Sequence, residues 1–146
     1  MRVYARIMDL TTECACTAIR RAARGITECY DRILAPSGLL STQFSLLRNI
    51  ERIGAANIST LAKAVQLDRT TLGRNLRVLE AAELVVLSTD TDQRARTIQL
   101  TRKGKHALKT ALPLWTIAQQ NVRDLLPKAE RDTLFAAVER IAAWER

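Results

Sequence analysis

Apolar residues recur along most of the chain at spacings of three and four, the period of a helix with one buried face. The first such stretch runs from about residue 12 to Leu34, with Ala15, Ala18, Ile19, Ala22, Ala23, Ile26, Tyr30, Ile33 and Leu34 on one side. Thr11 or Thr12 is placed to cap it, and Ala35-Pro36-Ser37-Gly38 ends it. Residues 1 to about 10 have weak periodicity and read as an arm. Ser41 is the predicted cap of a second helix, Thr42 to about Ile53, with Phe44, Leu47 and Ile50 facing the core and Gly54 closing it. A third, short helix starts at Asn57 or Ser59 and turns Ile58, Leu61, Ala62 and Val65 inward. After a tight turn at Gln66-Leu67, Asp68 caps a fourth helix of about Arg69 to Ala82.

The pattern then changes. Two short apolar runs, Leu84–Leu87 and Ile98–Leu100, flank a polar tip from Ser88 to Arg96, which predicts a β-hairpin. Thr101 caps a long helix from Arg102 to about Leu126. Pro113 lies inside it and is expected to kink it, because proline has no amide to bond back to Lys109. Pro127 suits the first turn of a last helix. The fold class is therefore mainly α with a small hairpin, in one domain spanning residues 1–146. The stretch Leu61–Thr101 reads as a helix-turn-helix followed by a wing.

The fourth helix carries the chemistry. With Leu72 turned inward, Leu76 and Leu79 fall on the same side at about 100° per residue. The opposite face holds Thr70, Arg74, Arg77 and Ala81, flanked by Thr71 and Gly73. Arginine pairs bidentately with guanine or holds phosphate, threonine reaches base edges or the thymine methyl, and glycine permits close approach. Residues at the front of such a helix enter the major groove first, here Arg69, Thr70 and Thr71. Ser59 and Thr60, at the start of the preceding helix, are placed to anchor phosphates. In the wing, Arg94 and Arg96 are placed for a minor groove or the backbone, and Asp92 for bracing Arg94.

Composition supports this picture. Lys plus Arg number 23 against 15 Asp plus Glu, a formal net charge of +8, which favours a polyanionic partner. With 3 Pro, 5 Gly and few aromatics, the chain favours helices. No apolar run is long enough to span a membrane, and Arg2, Arg6 and Asp9 interrupt any signal-peptide core, so a cytoplasmic location is expected. The single His106 follows Gly104, read as a turn, and no acid pair, phosphate loop or metal-ligand spacing accompanies it. Neither an enzyme, a cofactor nor a metal is expected. A winged-helix module that binds protein is the alternative of another class, and salt-independent binding would mark it.

In the order Leu40-Ser41-Thr42-Gln43-Phe44, Leu61-Ala62, Asp68-Arg69-Thr70-Thr71-Leu72-Gly73-Arg74-Asn75-Leu76, Leu79-Glu80, Asp92-Gln93-Arg94 and Leu100-Thr101-Arg102-Lys103-Gly104, the chain resembles the MarR family of winged-helix regulators over residues 12 to 145. The resemblance implies a homodimer in which helices at 12–35 and 102–146 interlock, with a winged helix-turn-helix at 41–101. It implies that the dimer binds a pseudo-palindromic site in double-stranded DNA, as a repressor released by a small molecule or an oxidant. Two departures stand out. Glu83 occupies the position where the family usually has a glycine after the recognition helix. The first wing strand ends Val86-Leu87-Ser88 rather than in basic residues, which predicts weaker non-specific binding and a flatter salt dependence.

The family's effectors are commonly aromatic acids held where the first helix meets the second and fifth. Arg20, Arg21 and Arg24 with Trp115 are the matching candidates, an arginine beside an aromatic wall, although Trp115 also suits a core or dimer interface. The three cysteines, Cys14, Cys16 and Cys29, are no disulfide framework. Cys14 and Cys16 point about 160° apart on a regular helix and cannot bridge there. Cys14 and Cys16, near a helix start, are candidate redox sensors; as small apolar side chains all three are equally read as packing residues.

Overall fold

The computed structural model describes residues 14–89 and 96–144. The expected arm at residues 1 to 10, the caps Thr11 and Thr12, and the wing-tip residues Asp92 and Arg94 lie outside the described residues. Among the described residues, six α-helices and three short strands follow in the order α1 (Ala15–Leu34), α2 (Ser41–Ile53), β1 (Ala56–Asn57), α3 (Ile58–Val65), α4 (Arg69–Ala81), β2 (Val85–Thr89), β3 (Arg96–Leu100), α5 (Arg102–Leu125) and α6 (Lys128–Ala142). A single turn of 3-10 helix, Ala35–Ser37, links α1 to α2.

The core lies where α2, α3, α4, the sheet and the first half of α5 converge. Leu47, Ile50, Leu61, Leu72, Leu76, Leu79 and Ile98 are fully buried there. The leucine stripe expected on α4 is thus inside, and Thr70, Arg74, Arg77 and Ala81 are exposed. The sheet is antiparallel with order β1-β3-β2. Leu87 pairs with Ile98 and Val85 with Leu100, so these four side chains share the inner face, as the twofold alternation of a strand requires. Ser88 and Thr97 join their hydroxyls across the strands at 2.8 Å. The strand β1 is an addition to the sequence expectation: Ala56 and Asn57 pair with Ile98 and Thr97 of β3.

Several element ends differ from expectation. Cys14, in extended backbone, occupies the cap position of α1. Leu40 rather than Ser41 occupies that of α2, and Ser41 is its first helical residue. The reason lies outside the local sequence. The Asp31 carboxylate of α1 accepts the Ser41 amide at 2.6 Å, and Gln43 Oε1 accepts the Leu40 amide at 3.0 Å. Pro127 precedes α6 as its cap residue rather than entering its first turn. The α5–α6 corner is closed by Arg131, whose Nη1 donates to the Leu126 and Arg123 carbonyls at 2.6 and 3.2 Å. Gly104 is no turn; it lies in the first turn of α5, and α5 continues through Pro113.

The apolar face expected on α1 is only partly covered by the chain itself. Leu34 is its only buried residue among those described, and Ile19 and Ile26 are nearly half exposed. The last helix, α6, buries none. Its Leu134, Phe135, Val138 and Ile141 form a stripe at spacings of one, three and three, with Phe135 59% exposed.

Candidate nucleic-acid interface

Both helices of the helix-turn-helix are capped at their N-termini by their own side chains. Asn57 Oδ1 accepts the Thr60 amide at 2.8 Å, and Asp68 Oδ1 accepts the Thr71 amide at 2.9 Å. The Thr71 hydroxyl also donates to Asp68 Oδ2 at 2.6 Å. The Thr71 side-chain hydrogen bond, helped by backbone amides, holds the Asp68 carboxyl below its ordinary value.

Both helices also end alike. Gln66 and Glu83 take left-handed backbone, φ 54° and 60°. The next amides, Leu67 and Leu84, reach back to the Ala62 and Leu79 carbonyls at 3.1 and 2.9 Å. This is the Schellman closure, in which the residue after the left-handed one packs inward. Leu84 is buried and Leu67 packs against the core. The missing glycine at Glu83 therefore leaves the turn intact, with a glutamate carrying the strain.

The turn after α4 is further locked to α5. Thr101 Oγ1 donates to the Glu83 carbonyl at 2.6 Å and accepts the Gly104 amide at 2.9 Å, and the Thr101 amide donates to the Leu84 carbonyl at 3.1 Å. Gly104 lies so close that a Cβ on it would sit 2.0 Å from the Leu84 oxygen. This contact fixes the wing base against α5.

The outer surface of α4 presents Thr70, Arg74 and Arg77, with Gly73 between them. A Cβ at Gly73 would meet nothing within 4 Å, so packing inside the chain does not require glycine there. Arg69 is held differently. Its Nη2 donates to Ser59 Oγ at 2.8 Å, tying the start of α4 to the start of α3. Between these helices lies a cleft of about 530 Å³ lined by Ser59, Ala62, Lys63, Gln66, Leu67 and Arg69. Lys63 is not among the expected site residues, and Gln66 is expected only as part of a turn. Lys63 was legible as the residue one turn beyond Ser59 on the same face; Gln66 became visible only with the left-handed turn. Arg96 opens β3 opposite Thr89.

The other candidates are separated. Arg20, Arg21 and Arg24 are exposed along α1. Trp115 is half-buried, stacked on Phe44 with ring centres 5.9 Å apart, and the cation over its ring is Arg48 of α2, at 4.3 Å. Arg48 was missed because its approach to Trp115 depends on how α2 crosses α5. Cys14 and Cys16 are exposed thiols and Cys29 is half-buried. Because Cys14 stands in extended backbone before the helix, the angular separation expected of two helical cysteines does not apply to the pair. His106 is exposed on α5. Among the described residues no helix is long and apolar enough to cross a membrane.

A buried helix-turn-helix with an arginine-bearing outer face and an adjoining hairpin defines a winged-helix DNA-binding protein. Residues 39–95 match the MarR family. The transcriptional regulator MosR of M. tuberculosis, solved in complex with DNA, is 41% identical, with 90% of this chain and 99% of that chain covered and a TM-score of 0.76. The transcriptional repressor CouR, solved bound to p-coumaroyl-CoA, is 26% identical, with 95% and 98% covered and a TM-score of 0.81. The HTH-type transcriptional regulator YxaD of Bacillus subtilis is 36% identical over 69 residues, 47% of this chain and 48% of that protein, so this match spans about half of its length. The chain belongs to the MarR family of transcriptional regulators.

Proposed function

We propose that the protein is a homodimeric, sequence-specific repressor whose grip on its operator is weakened by a small effector. The observation that carries the DNA-reading part is the division of α4, with Leu72, Leu76 and Leu79 in the core and Thr70, Arg74 and Arg77 outside. Two such helices in a dimer would read successive major grooves of a pseudo-palindrome, with Arg94 and Arg96 of the wings toward flanking minor grooves and Asp92 bracing Arg94. The uncovered apolar stripes of α1 and α6 support the dimer, since a monomer would leave them in water.

An anionic effector with an apolar body suits the groove between α2 and α5, about 420 Å³, lined by the three cations Arg48, Lys105 and Lys109 against one acid, Glu51, with Leu108 and Leu112. This placement moves the cations from Arg20, Arg21 and Arg24 on α1 to α2 and α5, beside Trp115. Binding there would act by favouring a dimer whose recognition-helix spacing mismatches the grooves.

The test is selection of DNA fragments by the purified protein, followed by gel shift of Arg74→Ala on the selected site beside sizing chromatography. The expected result is a folded dimer without specific binding; retained operator affinity would sink the assignment of α4. A second reading makes the effector an oxidant acting at Cys14 or Cys16, favoured by the exposure of both thiols at the start of α1. Peroxide should then release the wild-type protein from its site and spare a Cys14→Ser, Cys16→Ser variant; equal loss in both rules this out.

A further inference from the structure

We propose that the cleft between α3 and α4 seats one DNA backbone phosphate, held by Arg69 and Lys63, and that Ser59 is the residue that positions Arg69 for it. The inference rests on the DNA-binding reading above and divides the labour among the arginines of α4. One guanidinium nitrogen of Arg69 is committed to Ser59 Oγ at 2.8 Å. A guanidinium has five N–H donors, so a forked pair remains for two phosphate oxygens while the serine holds the plane in place. Lys63 lies four residues beyond Ser59 on α3 and lines the same cleft, so a second cation faces the space in front of Arg69.

Among the described residues neither Arg69 nor Lys63 forms an ion pair. Asp68, the adjacent acid, has both carboxylate oxygens engaged by Thr71. The same caps reduce the backbone alternative. The third amide of α3 is taken by Asn57 and that of α4 by Asp68, so an anion at this corner depends on side chains more than on helix amides. Arg74 and Arg77, by contrast, make no hydrogen bond or ion pair with any described residue and lie further along the outer face. A tethered arginine beside a lysine at the edge of the helix pair suits a fixed, sequence-independent anchor. Untethered arginines in mid-helix suit base edges.

The two roles separate in salt titrations. A phosphate contact adds close to one unit to the slope of log affinity against log salt and acts on all sequences, whereas a base contact acts on the ratio of operator to random DNA. Full-length protein is titrated with the selected operator and with a random duplex of equal length across a potassium chloride series. Arg69→Ala and Lys63→Ala are each expected to weaken both complexes by a similar factor, about tenfold, and to lower the slope, the double variant by about one per protomer. Ser59→Ala keeps both charges and is expected to weaken both complexes about threefold with the operator-to-random ratio intact, and Ser59→Thr to restore wild-type affinity. Circular dichroism melts of each variant confirm that the fold is retained, and Lys63, on a different helix, gives an independent reading.

Loss of the operator-to-random ratio in Arg69→Ala with an unchanged slope would make Arg69 a base reader and overturn the proposal. Ser59→Ala indistinguishable from wild type would overturn the positioning role. If selection yields no operator, the sequence-specific reading fails, while the random-duplex arm still decides whether Arg69 and Lys63 hold phosphate. A wild-type protein with no salt-dependent affinity for either duplex overturns both.

Discussion

Gly73 shows how a single residue on α4 separates stability from function. A helix-interior glycine costs roughly 0.5–1 kcal/mol relative to alanine, and a Cβ there would meet open space. Gly73→Ala is therefore expected to raise stability by about that amount in urea unfolding and, on the proposed reading of α4, to lower operator affinity in a gel shift, because the added methyl would lie on the face proposed to meet the groove. A variant that gains stability and binds as well as wild type would show that close approach is not the reason for glycine.

Asp68 makes a second residue-scale prediction, in pH. Its folded carboxyl titrates below its ordinary value of 3.8. Its contribution is thus complete above the unfolded value and is lost as pH falls through the folded one. The stability difference between wild type and Asp68→Asn should be constant above about pH 5 and close progressively below it, in urea midpoints measured across that range. Much at this scale was legible beforehand: Asn57, Asp68 and Thr101 are short polar residues placed just before apolar periodicity, and each caps its helix. Ser41 was not, because a carboxylate ten residues earlier in α1 takes its amide.

Among the elements, the junction of β2, β3 and α5 is the least forgiving. The wing can be oriented only if its base is rigid, and Thr101 and Gly104 provide that by holding the Glu83–Leu84 backbone against the first turn of α5. Gly104→Ala would force backbone apart, and a loss of about 3 kcal/mol or more is expected, read as a lowered melting temperature and urea midpoint. The helices of the helix-turn-helix could be read from sequence because their buried faces repeat every three or four residues within one element. The strand β1 could not, since two residues carry no period and Ala56–Asn57 becomes a strand only by pairing with β3, about forty residues later. The Arg48–Trp115 contact is of the same kind, set by how two distant helices cross.

At the scale of the whole molecule, the charge and the uncovered apolar surface point in different directions. A net charge of +8 favours approach to DNA. The stripe of α6, with Leu134 46% and Phe135 59% exposed, favours a second copy of the chain. If the dimer is held there, Leu134→Glu combined with Val138→Glu should convert it to monomer in sedimentation equilibrium, and wild-type melting temperature should fall on dilution. A dimer that survives both substitutions would place the interface elsewhere.

Sequence alone determined the order of the helices, the inward leucines of α4, its outward Thr70, Arg74 and Arg77, and the resemblance to the MarR family. All of these are written in local period and spacing. Only the tertiary structure decided what covers each apolar face. Periodicity states that a helix has an apolar side but not whether the chain itself buries it, and the apolar side of α1 is largely uncovered by its own chain. Tertiary packing likewise brought Ser59 to Arg69, Arg48 to Trp115 and Leu84 to Gly104. These contacts join residues on different elements, and their distances follow from how the elements cross rather than from any spacing along the chain.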